Sequence, residues 1–436
     1  MADILIRGRV LSFLREPEGV EDCASYLYEE DGAVLVREGR IVAVGQHATV
    51  SAQAGPGATV ADHRPHLVLP GFIDAHIHMP QMQVIASFGA ELLDWLNDYT
   101  FPEETRFADS QHGRRIARLF LDEAIRHGTT TVAAYCSVHK ASAEAFFEES
   151  HARNMLNIAG KVMMDRNAPD GLRDTPQTGY DDTKALIAAW HGKGRQLYAI
   201  TPRFAITSTP QQMEMAGALA AEHPDCHVQT HLSENHAEIR WTEALYPQAK
   251  DYTDVYAHYG LLGAKSLFGH CIHLSEREAD AMAEAGGVAV FCPTSNLFLG
   301  SGLFDYQRYR RRDRRLRVAT ATDVGGGTNY SMLRTMDEAY KVIALQGEKL
   351  DPLQSFWQLT RGNAEALSIA DRVGTLEPGT DADIVVLDAA ATPAMAIRKE
   401  RVTTLAQELF LLQTLGDDRA VKAVYVAGRE VKGYAS

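Results

Sequence analysis

The chain has 436 residues, 45% hydrophobic and 23% charged, ordinary proportions for a globular protein with a sizeable core. Its 57 Asp and Glu against 43 Lys and Arg give a formal charge of -14, which argues against nucleic acid or an anionic membrane surface as partner. The five cysteines (Cys23, Cys136, Cys226, Cys271 and Cys292) form no C-x-x-C pair, so neither a disulfide framework nor a cysteine zinc site is expected.

Along the first 60 or so residues, Ile4–Val10 and Ala33–Gly45 read as strands broken by glycine turns. Near the other end, Asp383–Asp388 and Val421–Val431 have the same composition. The two ends together predict one small, discontinuous β-sandwich, residues 1–66 with 374–436. Between them, residues 67–373 alternate strands with helices. Asp109 and Ser110 precede a helix whose apolar face carries Ile116, Leu119, Phe120 and Ala124, with Gly128 as its stop. Thr129–Tyr135 follows as a strand. Eight strands are expected, ending near His78, Tyr135, Asp165, Arg203, His231, His270, Asn296 and Asp323. Eight strand–helix alternations predict an α/β fold, a (β/α)8 TIM-like barrel, with the polar residues gathered at its catalytic C-terminal face. The basic run Arg308–Arg317 is expected to be a solvated face. No apolar run approaches the roughly 20 residues of a membrane span. Met1 is not followed by a basic and then an apolar stretch, so a cytoplasmic protein is expected.

The chemistry starts at Pro70-Gly-Phe-Ile-Asp-Ala-His-Ile-His78. Side chains two apart on a strand share a face, so His76 and His78 point together, a pairing suited to zinc. His231, His270 and Asp323 each close another β-like run. Three imidazoles and a carboxylate leave room for a water, as a catalytic zinc site requires. Lys161 closes the third strand rather than the fourth, which ends at Arg203, so one metal is expected instead of a lysine-bridged pair. The H-x-E at His236 and Glu238 lacks any following P-C-x-x-C. Gly325-Gly-Gly reads as a close-approach loop, and His139 as a structural or rim residue.

Four segments carry a closer likeness: Pro80–Leu96, Gly160–Pro169, Cys292–Gly302 and Thr230–His236. Through them the chain resembles the amidohydrolase superfamily and, within it, the guanine deaminase family, over nearly its whole length. That resemblance implies one Zn2+ held by His76, His78, His231 and Asp323, with His270 beside the water and substrate. It also implies a homodimer acting on a purine base, by hydrolytic deamination of guanine to xanthine and ammonia. Glu234, just past His231, suits a proton shuttle, and Asp323 can also accept from the attacking water. Arg203 and Phe204 offer a donor for a ring carbonyl and an apolar contact, and Gln81 a donor and an acceptor. His78, His231, Glu234 and Asp323 also face the substrate in this reading, while Leu93, Trp95 and Phe101 are either pocket walls or core. A related heterocycle (8-oxoguanine, another aminopurine, a pterin, a triazine) remains an alternative substrate. A non-catalytic assembly protein is a remote one.

Overall fold

The computed structural model describes residues 3–88, 92–310 and 315–432. Four strands open the chain: β1 (Ile4–Phe13), β2 (Tyr26–Arg37), β3 (Arg40–Gln46) and β4 (Thr59–Pro70). Nine follow: β5 (Phe72–His78), β6 (Thr129–Tyr135), β7 (Asn157–Gly160), β8 (Val162–Met163), β9 (Gln196–Pro202), β10 (His227–Leu232), β11 (Ser266–His270), β12 (Val288–Phe291) and β13 (Arg317–Thr320). Three close it: β14 (Ile384–Leu387), β15 (Val421–Val426) and β16 (Arg429–Lys432).

The middle set pairs in parallel in the order β13-β12-β11-β10-β9-β7-β6-β5, with β8 beside β9. Such strands are buried on both faces and read as continuous apolar runs; all seven residues of β6 are buried. The barrel closes through backbone bonds between β5 and the segment after β13. Asp323 N–H donates to His76 O at 2.9 Å and His78 N–H to Val324 O at 2.8 Å. Helices cover the strands, so the fold is the expected (β/α)8 barrel.

The chain ends build a second, seven-stranded sheet in the order β16-β15-β14-β4-β1-β2-β3. Strands from both chain ends join in it, as expected of the small terminal β-sandwich, and they do so as one continuous sheet. β4 lies between β1 and the C-terminal β14, then continues into β5 with only Gly71 between. Arg195, which is buried, ties barrel to sheet through Asp381 (3.0 Å) and Asp383.

Several local expectations need correction. The helix Ser110–Arg126 starts where expected, with the Asp109 side chain accepting from Gln111 N–H, and Gly128 follows it at φ +85°. Leu119, however, is 39% exposed; the buried face runs through Ile116, Ala117, Phe120, Leu121 and Ala124. β12 stops at Phe291, because Pro293 begins a short helix that carries Asn296. β13 stops at Thr320, three residues before Asp323. The third strand breaks at Lys161, between β7 and β8. The basic run is only partly solvated. Arg310 is 14% exposed in its side chain and paired with Glu16, and Arg317 donates to four backbone carbonyls. Residues 311–314 of that run lie outside the described residues.

Candidate active site

His76 and His78 leave β5 on one face, as period-two geometry demands, and meet His231 from β10. His76 Nε2 lies 3.1 Å from His78 Nε2, which lies 3.3 Å from His231 Nε2. Asp323 Oδ1 stands 3.4 Å from His76 Nε2 and 3.3 Å from His78 Nε2. Tetrahedral donors at zinc bond lengths of about 2.0–2.1 Å would sit about 3.3 Å apart, and each of these separations matches that spacing; the three-histidine cluster fits a zinc-sized ion.

The protonation states agree with that fit. Burial pushes His78 down to about 4, lowers His76 and drives His231 well below its ordinary value, which leaves neutral imidazoles with a lone pair to offer. Burial works to raise the Asp323 carboxyl, but its contacts with His76 and His78 outweigh burial and hold it well below the usual range. His231 Nδ1–H donates to the backbone oxygen of Arg203 at 2.7 Å, which turns Nε2 inward. His270 makes a parallel bond from Nδ1 to Asn296 Oδ1 at 2.9 Å, and its Nε2 lies 3.8 Å from Asp323 Oδ2. Both His270 (φ 71°) and Asp323 (φ 50°) adopt left-handed backbone, a strained conformation that clusters at functional sites. The turn after Asp323 needs glycine: a Cβ on Gly327 would fall 1.8 Å from Thr322 O.

Glu234 stands two residues beyond β10, with Oε2 3.3 Å from His270 Nε2 and Oε1 accepting from Ser301 Oγ at 3.0 Å. Burial pushes its carboxyl up to about 8, with the Asp323 charge adding to the shift. Glu238 shapes this turn by accepting from the backbone N–H of Glu234 (2.9 Å) and Asn235 (3.0 Å). That is a structural role for the second residue of the H-x-E pair.

A pocket opens over these groups. Its polar lining is His78, Gln81, Arg203, His231, Glu234, His270 and Asp323; Leu92, Trp95, Leu96, Phe204 and Leu299 supply apolar surface, and Gly326 completes the wall. Of the residues expected to serve metal, water or substrate, all but His76 line this pocket, and His76 packs against its imidazoles, its ring centre 5.0 Å from that of His78 and 4.8 Å from that of His231. Leu93 is not part of this lining. Phe101 instead lies against the Arg203 guanidinium, 5.5 Å from its carbon to the ring centre. Lys161 pairs with Asp174 at 2.6 Å, away from the pocket lining. His139 stands at the start of the helix Lys140–Ala152 and does not line the pocket.

Sequence reasoning missed three supporting residues. Asp74, inside the His76–His78 motif, accepts from Thr322 N–H (3.1 Å) and Thr322 Oγ1, pinning the exit of β13 to β5. Ser301 lay in a segment noted only for its likeness. Glu104, 1% exposed, bonds both Gln81 and Arg203, and no local pattern marks it.

Comparison with known proteins agrees with this geometry. The model of the amidohydrolase family matches residues 67–431. Guanine deaminase of Escherichia coli is 44% identical over 98% of this chain and 97% of its own. The E. coli structure superposes with a TM-score of 0.94 at 42% identity, covering 99% of each chain. The guanine deaminase structure from Bradyrhizobium japonicum gives 0.95 at 38% identity over all of both chains. That from C. acetobutylicum, which has guanine bound in its active site, gives 0.87 at 28% identity, over 98% of this chain and 100% of its own. The chain belongs to the amidohydrolase family and groups within it with the guanine deaminases.

Proposed function

We propose that the protein hydrolyses guanine to xanthine and ammonia, with one zinc ion held by His76, His78, His231 and Asp323. The observation that carries this reading is one pocket in which a zinc-spaced donor set lies beside a buried carboxyl, with Arg203 and Gln81 also in its wall. The likeness to guanine deaminases along almost the entire chain supports the same substrate. When bound, zinc supplies the acidification of water that makes hydroxide available near neutral pH.

The chain's own residues do the rest. Arg203 donates to the purine O6, and Gln81 meets the adjoining ring edge. Phe204, Trp95 and Leu96 cover the ring and keep bulk water out. His78, His231 and Asp323 form the polar floor against which the reacting carbon rests. Asp323 accepts a hydrogen bond from the attacking water, and His270, turned by Asn296, orients it. Glu234 takes a proton from that water and delivers it to N3, making C2 electrophilic. Once oxygen has bonded to C2, the same carboxylate takes the remaining proton from that hydroxyl and passes it to the 2-amino nitrogen; the C2 carbonyl forms as the C–N bond breaks and ammonia leaves. Burial raises the Glu234 carboxyl above the usual carboxylate range, towards the neutral pH at which a group that must both accept and donate works best.

The barrel over 67–373 would thus carry the chemistry and the discontinuous unit of 1–66 with 374–436 would brace it. We place the protein in the cytoplasm as a homodimer acting on a free base. No helix among the described residues is long and apolar enough to cross a membrane.

The test is ammonia release from guanine, adenine, 8-oxoguanine, a pterin and an aminotriazine, with products identified by mass. Guanine should be converted to xanthine at least ~100-fold faster than the others. Faster turnover of another heterocycle would discard guanine. No turnover of any by metal-loaded protein would point to a non-catalytic protein.

A further inference from the structure

Glu104 does not line the pocket, yet it holds two of the residues that do. Its Oε1 accepts from Gln81 Nε2 at 2.9 Å and its Oε2 from Arg203 Nη1 at 2.7 Å. The carboxylate is 1% exposed and stands on the short helix Phe101–Thr105. Phe101, one turn earlier on that helix, packs its ring against the same guanidinium. One helical turn therefore holds Arg203 by a charged bond and by a ring face.

The consequence for Gln81 is directional. A carboxylate only accepts, so the Gln81 amide must turn its NH2 towards Glu104 and leave its carbonyl as the opposite end. Gly325 confines the amide from another side: a Cβ there would lie 2.6 Å from Gln81 Cβ and 2.8 Å from Oε1.

We infer that Glu104 is a positioning residue that sets the donor–acceptor polarity of the substrate pocket. Through it, Arg203 presents a donor and Gln81 a carbonyl acceptor. That pair complements a lactam edge, in which a ring carbonyl adjoins a ring N–H. It mismatches an amidine edge, in which an exocyclic amino group adjoins a bare ring nitrogen. A mismatched edge leaves buried polar groups unpaired, which is how such sites discriminate strongly. The inference rests on the guanine reading for the identity of the edge.

Hypoxanthine and adenine test it directly. They differ at this edge, and neither carries a 2-amino group, so binding is measured without turnover. Calorimetric Kd values are compared for the zinc-loaded wild type, Glu104→Gln and Glu104→Asp, alongside zinc content and guanine kcat and KM. Wild type should prefer hypoxanthine by ~100-fold. Glu104→Gln can donate to Gln81 and let the amide turn over. It should lose at least ~10-fold of that preference, with guanine KM rising more than kcat falls and zinc content unchanged. Glu104→Asp keeps the charge but is too short to hold both partners, so it should lose preference likewise. Equal weakening of both purines, or an unchanged ratio, in either folded variant would overturn the inference. Failure of the wild type to deaminate guanine would instead sink the guanine reading alone.

Discussion

His231 and Arg203 are joined at the backbone: the carbonyl oxygen of Arg203 accepts from the His231 amide at 3.1 Å and from its ring Nδ1 at 2.7 Å. The main chain of one residue thus orients an imidazole of the His76–His78–His231 cluster, while its side chain lines the pocket.

Because a side-chain substitution spares that carbonyl, Arg203→Ala should keep its zinc and lose substrate affinity. A hydrogen bond to a charged group is worth about 1.5–3 kcal/mol, so guanine kcat/KM should fall ~10- to 100-fold. The variant should also melt earlier, since Glu104 loses its buried cation at a cost of about 3 kcal/mol. Metal analysis, kinetics and a melting curve on one preparation check all three. Loss of zinc would move Arg203 from pocket to scaffold.

Glu234→Gln separates proton transfer from metal binding. The carboxyl is absent from the donor set yet lies 3.3 Å from His270 Nε2. Zinc content should be unchanged and kcat should drop ~100- to 10,000-fold, the usual worth of a general acid–base group. A variant that keeps wild-type turnover would contradict the shuttle role.

Much of this site was legible because its histidines obey short-range rules. His76 and His78 share a strand face by period two, and His231 and His270 close or nearly close their strands. What escaped depends on distance. Glu104 meets Arg203 across 99 positions and Gln81 across 23, and its own stretch, Phe101–Thr105, carries no recognisable motif. Asn296 looked like a strand end because the apolar run before it is β-like, yet Pro293 starts a helix there. Leu119 fits the apolar spacing of its helix, but the neighbouring layer covers the stripe through Ala117 and Leu121 instead. Arg310 reads as a solvated charge until Glu16, from the other end of the chain, pairs with it.

The terminal sheet offers a prediction about pH. Arg9 on β1 makes two bonds to Glu408, at 2.8 and 2.7 Å, on the helix Leu405–Leu415. Burial works to raise the Glu408 carboxyl, but Arg9 outweighs it and holds the carboxyl below its ordinary 4.5. A depressed carboxyl contributes stability that is fully present above pH 4.5 and is lost as pH falls through its folded-state value. Glu408→Gln should therefore cost about 3 kcal/mol at pH 7, because Arg9 loses its carboxylate and keeps only its bonds to the Tyr28 hydroxyl. The gap in Tm from wild type should narrow as the pH drops below 4.5. A gap that stays constant down to pH 3.5 would show that the pair is not what stabilises the junction.

The most direct test of the central claim follows guanine absorbance during incubation with zinc-loaded protein, with and without a chelator, while bound metal is counted. One zinc per chain, conversion to xanthine, loss of conversion on chelation and its return with added zinc are expected. Conversion that continues at full rate after the metal has been removed would contradict the account.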